Sequence, residues 1–68
     1  MKRYEILGLM KDKHVSFKAW ADAAGKAPKT IRAHFDAEDV TTKEIHAFGR
    51  IAGINDPYAL AGLFIVKK

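Results

Sequence analysis

Helix start and stop signals recur at short intervals along this chain. Ser16 precedes an apolar segment that Gly25 ends, Pro28 begins the next segment, and Gly53 ends a later one. Serine is favoured as a helix N-cap, proline at the first helical position and glycine just after the last turn. Helices this short stabilise one another only by packing their apolar sides together. The pattern therefore predicts an all-α fold, a compact bundle of four or five short helices.

A chain of 68 residues without cysteine is expected to form a single domain over residues 1–68. Since no disulfide or cysteine-bound metal can stabilise it, an apolar core must do so, and 49% of the residues are hydrophobic. We expect no enzyme activity, no cofactor and no small-molecule substrate. The first residues lack the apolar core of an export signal, and no apolar run could span a membrane. We expect a cytoplasmic protein of a bacterium or phage-infected cell, with no membrane partner.

Three further segments are predicted outside residues 16–36. Apolar residues cover more than one side of residues 2–12, so this first helix is expected to be mostly buried. Thr41 and Glu44 have the spacing of a capping box at the start of another helix. A last helix is predicted after Asp56. Its end, residues 63–66, could continue the helix or form a short strand, because β-branched residues are common there.

The most informative pattern is the connection between the second and third helices. Phe17, Trp20, Ala21 and Ala24 recur at helical spacing, and only Gly25-Lys26-Ala27 separate them from the next helix. So short a connection makes two helices cross steeply. We expect a positive φ at the glycine and a core filled by the tryptophan and by the isoleucine at position 31.

The chain has a net charge of +4, and its positive charge is concentrated in the first half. Residues 1–32 hold eight Lys or Arg against three Asp or Glu, whereas residues 33–68 hold four against five. A cationic half attracts phosphates, and the other half remains available for packing or for protein contacts.

Residues 17–31 resemble the helix-turn-helix of the Cro and repressor proteins of phages and related bacterial regulators, the lambda-repressor-like fold. The matching marks are the small Ala21, the turn glycine Gly25 and the branched apolar Ile31. Residues 41–54 are similar to the core helix that follows in that family, ending at a Gly-Ile pair.

Two positions depart from the family pattern. The residue after the turn glycine is usually apolar and is Lys26 here. The residue three positions after Ile31 is usually apolar and is His34 here. We expect Phe35, beside this histidine, to take the core place.

The resemblance implies a sequence-specific regulator of transcription, a Cro-like repressor that inserts residues 28–35 into the major groove of double-stranded DNA. Arg32 is the expected partner of a guanine, because its forked guanidinium matches O6 and N7. The implied base-reading residues are Ala27, Lys29, Thr30, Arg32 and Ala33. The implied phosphate contacts are Ser16, Phe17, Lys18, Lys26 and Lys43.

A homodimer on DNA is also implied, since two copies would read two half-sites. The remaining apolar residues give its expected surface: Leu60, Leu63, Phe64, Ile65 and Val66. The alternative is a helical protein-interaction module that binds a polymerase subunit or another regulator through its acidic or C-terminal face.

No metal site is expected. His14, His34 and His46 are far apart in sequence and have no cysteine partner, which matches no compact zinc pattern. Residues 36–39 are expected to form an acidic loop that keeps the surface soluble or repels phosphate.

Overall fold

Five α-helices make up the computed structural model, which describes residues 1–64. In order they are α1 (Arg3–Asp12), α2 (Phe17–Ala24), α3 (Pro28–Asp36), α4 (Thr42–Ala52) and α5 (Pro57–Phe64). The predicted all-α bundle is confirmed, and the end of α5 shows that Phe64 is helical rather than part of a strand. No helix within residues 1–64 is long and apolar enough to cross a membrane.

The caps predicted for α2 and α4 form in the structure. The Ser16 hydroxyl accepts a hydrogen bond from the third residue of α2. Gly25 and Gly53 adopt φ values of +71° and +73°, where side chains are disfavoured. Thr41 and Glu44 form both hydrogen bonds of a capping box at the start of α4. The sequence signals therefore act locally, as expected.

Aromatic rings from four helices meet in the centre of the core. Trp20 of α2 is fully buried, and its ring centroid lies 6.2 Å from that of Phe35, 5.0 Å from Phe48 and 5.8 Å from Phe64. Its indole N–H donates to the carbonyl of Glu44 at 2.8 Å. This cluster fixes α2, α3, α4 and α5 around one side chain.

The expectation that the first helix is mostly buried is wrong. Only Ile6 and Met10 of α1 are buried, whereas Tyr4 is 90% and Leu7 is 39% exposed. Positions four apart lie on one side of a helix, so α1 contacts the body along a single narrow stripe. Tyr4 and Leu7 remain on the surface, and Leu9 is half-buried.

The prediction of a dimer surface at the C-terminal end is wrong for two of its residues. Leu60 and Phe64 are each only 7% exposed and belong to the core, because α5 turns this side toward α4 and α1. Leu63 is half-buried, and its carbonyl accepts from the Lys2 amide at 2.8 Å. Ile65 and Val66 lie outside the described residues.

Gly49 of α4 is closely approached by neighbouring atoms, whereas Gly8 of α1 is not. A Cβ at Gly49 would lie 2.7 Å from a Leu60 methyl and 3.0 Å from the Ile54 carbonyl oxygen, whereas one at Gly8 would meet nothing within 4 Å. We expect Gly49→Ala to lower the free energy of unfolding by about 1–3 kcal/mol through overpacking. Gly8→Ala should raise it by up to about 1 kcal/mol through helix propensity. Urea unfolding of both variants measures this, and equal effects would contradict the packing described.

Candidate nucleic-acid interface

A three-residue connection sets the position of α3 on the body. After Gly25, the Lys26 amide donates back to the Ala21 carbonyl at 2.9 Å, which closes the end of α2. The Ala27 carbonyl then accepts from the amides of Thr30 and Ile31 at 3.0 and 3.1 Å, which opens α3. Backbone hydrogen bonds therefore hold the connection at both ends, where α2 stops and where α3 starts.

The two sides of α3 differ sharply in burial. Ile31 and Phe35 are each 1% exposed and pack into the core, so Phe35 takes the core place as predicted. Lys29, Arg32 and Ala33 are exposed on the opposite side, at the spacing i, i+3 and i+4 that shares one helical face. We refer to these last three residues as the outer face of α3.

The other implied base-reading residues flank the outer face. Ala27, the N-cap of α3, is exposed, and Thr30 is half-buried. The structure therefore brings all five to the N-terminal two turns of one helix.

Arg32 is held in place on the outer face. Its Nε donates to both carboxylate oxygens of Asp36 at 3.4 and 3.3 Å, and its guanidinium carbon lies 5.0 Å from the Phe17 ring centroid. Asp36 in turn accepts from Arg3 Nη2 at 3.3 Å. Asp36 is the last residue of α3 and not part of a loop, so the predicted loop boundary is wrong by one residue. The i,i+4 spacing of Arg32 and Asp36 is the sequence signal that would have found this pair.

The N-terminus of α2 offers backbone donors beside this face. Ser16 satisfies the amide of Ala19, and the amides of Phe17 and Lys18 have no acceptor within residues 1–64. The Lys18 side chain is exposed. The Phe17 ring packs against Phe35 with centroids 5.4 Å apart, so this residue offers its backbone and not its side chain.

The two remaining implied phosphate contacts differ in their surroundings. Lys43 is exposed in the first turn of α4. Lys26 is exposed too, but its Nζ lies 3.9 Å from Glu44 Oε2, so part of its charge is balanced by that carboxylate.

Glu44 is the one fully buried charged residue in the described part of the chain. Its carboxylate accepts from the Thr41 amide at 2.9 Å and from His34 Nδ1–H at 2.8 Å. Burial raises the pKa of Glu44, but the hydrogen bonds from Thr41 and His34 and the attraction of the His34 ring outweigh it. The pKa therefore lies below the ordinary value of 4.5. The capping-box pattern predicted the Thr41 contact, whereas the burial and the His34 contact were missed.

The other two histidines, His14 and His46, are exposed. Within residues 1–64 no group of three or more His, Asp or Glu side chains is arranged to hold a metal ion. His34 is oriented by Glu44 and serves to join the end of α3 to α4.

Glu44→Gln should destabilise the protein at neutral pH by about 1–3 kcal/mol, because a neutral amide has one acceptor oxygen and cannot replace both charge-assisted hydrogen bonds of the carboxylate. A carboxylate with a lowered folded-state pKa stabilises the fold above its unfolded pKa, and this contribution disappears as pH falls through the folded pKa. The difference between wild type and Glu44→Gln should therefore shrink as pH falls below about 4.5. Urea unfolding at several pH values measures it.

Glu5→Gln is the matched control, because Glu5 is exposed and makes only a 4.0 Å ion pair with Lys2. This variant should unfold like the wild type across the same pH range. A constant difference between Glu44→Gln and wild type down to pH 3 would contradict the role given to the Glu44 carboxylate.

Comparison of the chain with protein-family models, with curated proteins and with solved structures found no match.

Proposed function

We propose that this chain binds double-stranded DNA sequence-specifically, as a helix-turn-helix regulator that inserts α3 into the major groove. One observation carries the proposal: α3 buries Ile31 and Phe35 and leaves a cationic outer face at its N-terminal turns. The major groove of DNA is wide enough to admit an exposed α-helix, and the N-terminal residues of a recognition helix face the base edges. The short connection after Gly25 supports the same orientation.

The charge around α3 also supports DNA as the partner. Lys18, Lys26, Lys29 and Arg32 come from consecutive elements of the cationic first half of the chain, and all four side chains reach the surface. Positive charge of this kind attracts the phosphate backbone regardless of base sequence. The free amides at the start of α2 suit a phosphate, because a helix N-terminus carries partial positive charge.

The residues of α3 divide by chemistry into distinct roles. Arg32 donates to guanine O6 and N7, and Lys29 contacts guanine or a phosphate. Ala33 and Ala27 offer only methyl groups, which suit contact with a thymine methyl. Thr30, half-buried at the edge of the face, donates its hydroxyl to a phosphate. Base contacts give specificity, whereas Lys18, Lys26 and Lys43 position the protein.

Repression by occlusion of a promoter in a bacterial or phage-infected cytoplasm is the proposed output. Two copies bound to a palindrome would place their α3 helices about 34–36 Å apart. Because Leu60 and Phe64 belong to the core of each copy, this arrangement does not use them as a dimer contact. The twofold symmetry of the DNA site sets the pairing.

Arg32→Ala should relax the preference for one base pair and cost about 1–3 kcal/mol of specific binding, because the bidentate pair is lost. The measurement is selection of bound sequences from random duplex DNA, followed by titration of the selected duplex. Arg50→Ala is the matched control: it removes the same charge from the last turn of α4, where Arg50 Nη2 donates to the Ala23 carbonyl. The control should retain the wild-type base preference. Recovery of no sequence by the wild type would refute the proposed function.

Salt dependence separates DNA binding from the alternative of a protein-interaction module. If several phosphates are neutralised, the logarithm of the affinity for duplex DNA should fall linearly and steeply with the logarithm of salt concentration. Lys43→Ala should weaken binding to all sequences alike and reduce that slope by about one. Fluorescence anisotropy with the selected duplex and an unrelated duplex measures both. A flat salt response would favour a protein partner.

A further inference from the structure

Asp36 occupies a position where a carboxylate is unfavourable for the helix and for DNA binding alike. It is the last residue of α3, where the helix dipole disfavours negative charge. An acid placed four residues after a base is also the weaker order for a helical ion pair. In addition, its charge lies next to the surface proposed to approach phosphates. A residue that is unfavourable for helix stability and for the neighbouring surface is expected to have another role.

The contacts of Asp36 indicate that role. We propose that Asp36 is a positioning residue that fixes the Arg32 guanidinium for one base, an inference that rests on the proposed function. Asp36 engages Arg32 through Nε alone, at 3.3 and 3.4 Å. The guanidinium carbon also lies over the Phe17 ring, 5.0 Å from its centroid. The Nε edge of the group is thereby occupied, and the group is held beside an aromatic ring.

The free end of the guanidinium carries the donors that a guanine needs. The two terminal nitrogens of Arg32 have no hydrogen-bond partner in the part of the chain that the structure describes, and the side chain is 61% exposed. Two parallel N–H groups at this end match O6 and N7 of guanine. Holding the group in one orientation before binding lowers the entropy lost on contact. Asp36 therefore favours end-on recognition of guanine over loose contact with a phosphate.

Arg3 fixes the carboxylate itself. Its Nη2 lies 3.3 Å from Asp36 Oδ1, and its guanidinium carbon lies 5.5 Å from the ring centroid of the buried Phe35. The Asp36 side chain is thus held between Arg3 of α1 and Arg32, the side chain that it orients. A single surface ion pair contributes little, whereas a pair anchored at both ends keeps its geometry.

The test compares wild type, Asp36→Asn and Asp39→Asn in parallel selections from random duplex DNA, with Arg32→Ala marking the base pair that Arg32 reads. Asp39→Asn makes the same charge change three residues away, where Asp39 has no ion pair within residues 1–64. Titration of an unrelated duplex measures non-specific affinity, and thermal unfolding confirms that each variant folds.

Removal of a negative charge near DNA should leave binding to the unrelated duplex unchanged or stronger for both variants. Asp36→Asn alone should lose about two- to five-fold of the discrimination at the base pair marked by Arg32→Ala, as expected for one exposed ion pair. Full wild-type discrimination in Asp36→Asn would overturn this inference and leave the proposed function standing. Equal relaxation by Asp39→Asn, or no base pair marked by Arg32→Ala, would overturn it too. If the wild type selects no sequence, the proposed function and this inference both fail.

Discussion

The packing of Trp20 is the interaction on which the rest of this structure depends. Its ring meets Phe35, Phe48 and Phe64, one from each of α3, α4 and α5, and its indole N–H is satisfied by a backbone carbonyl. Aromatic pairs at these distances contribute beyond the area they bury. In a chain of 68 residues the core is small, so one large side chain in contact with three other helices has a correspondingly large share in its stability. The exposed side of α3 faces outward because its other side is held against this ring.

A second, polar connection joins α3 to α4 at the edge of the core. Glu44 caps α4 through Thr41 and accepts from His34 near the end of α3. Burial of a charge is costly unless it is paired and hydrogen-bonded, and both conditions are met here. The aromatic cluster sets where α3 lies, while the carboxylate limits how α3 rotates, since the histidine that it binds is on the helix itself.

Local signals in the sequence predicted most of the fold. Ser16, Gly25, Gly53 and the Thr41–Glu44 pair each determine a boundary through hydrogen bonds or φ angles within a few residues, so they can be read without tertiary knowledge. The helical periodicity of residues 17–24 likewise predicted which side of α2 is buried. The exposure of Tyr4 and the inward side of α5 were not predictable in this way. Both depend on how many neighbours a helix has, and apolar content alone does not reveal this.

The candidate site shows the same division between local and tertiary information. Spacing alone placed Lys29, Arg32 and Ala33 on one face, and the structure confirms their exposure. Residue spacing could not show that Asp36 is shared by two arginines, because Arg3 lies in a helix thirty-three positions earlier in the chain. The shared carboxylate offsets part of the positive charge beside α3 and holds Arg32 through its Nε. Under the proposed function, the domain would give up some non-specific attraction to DNA and gain discrimination between base sequences. Discrimination decides which site is occupied when unrelated duplex is present in large excess.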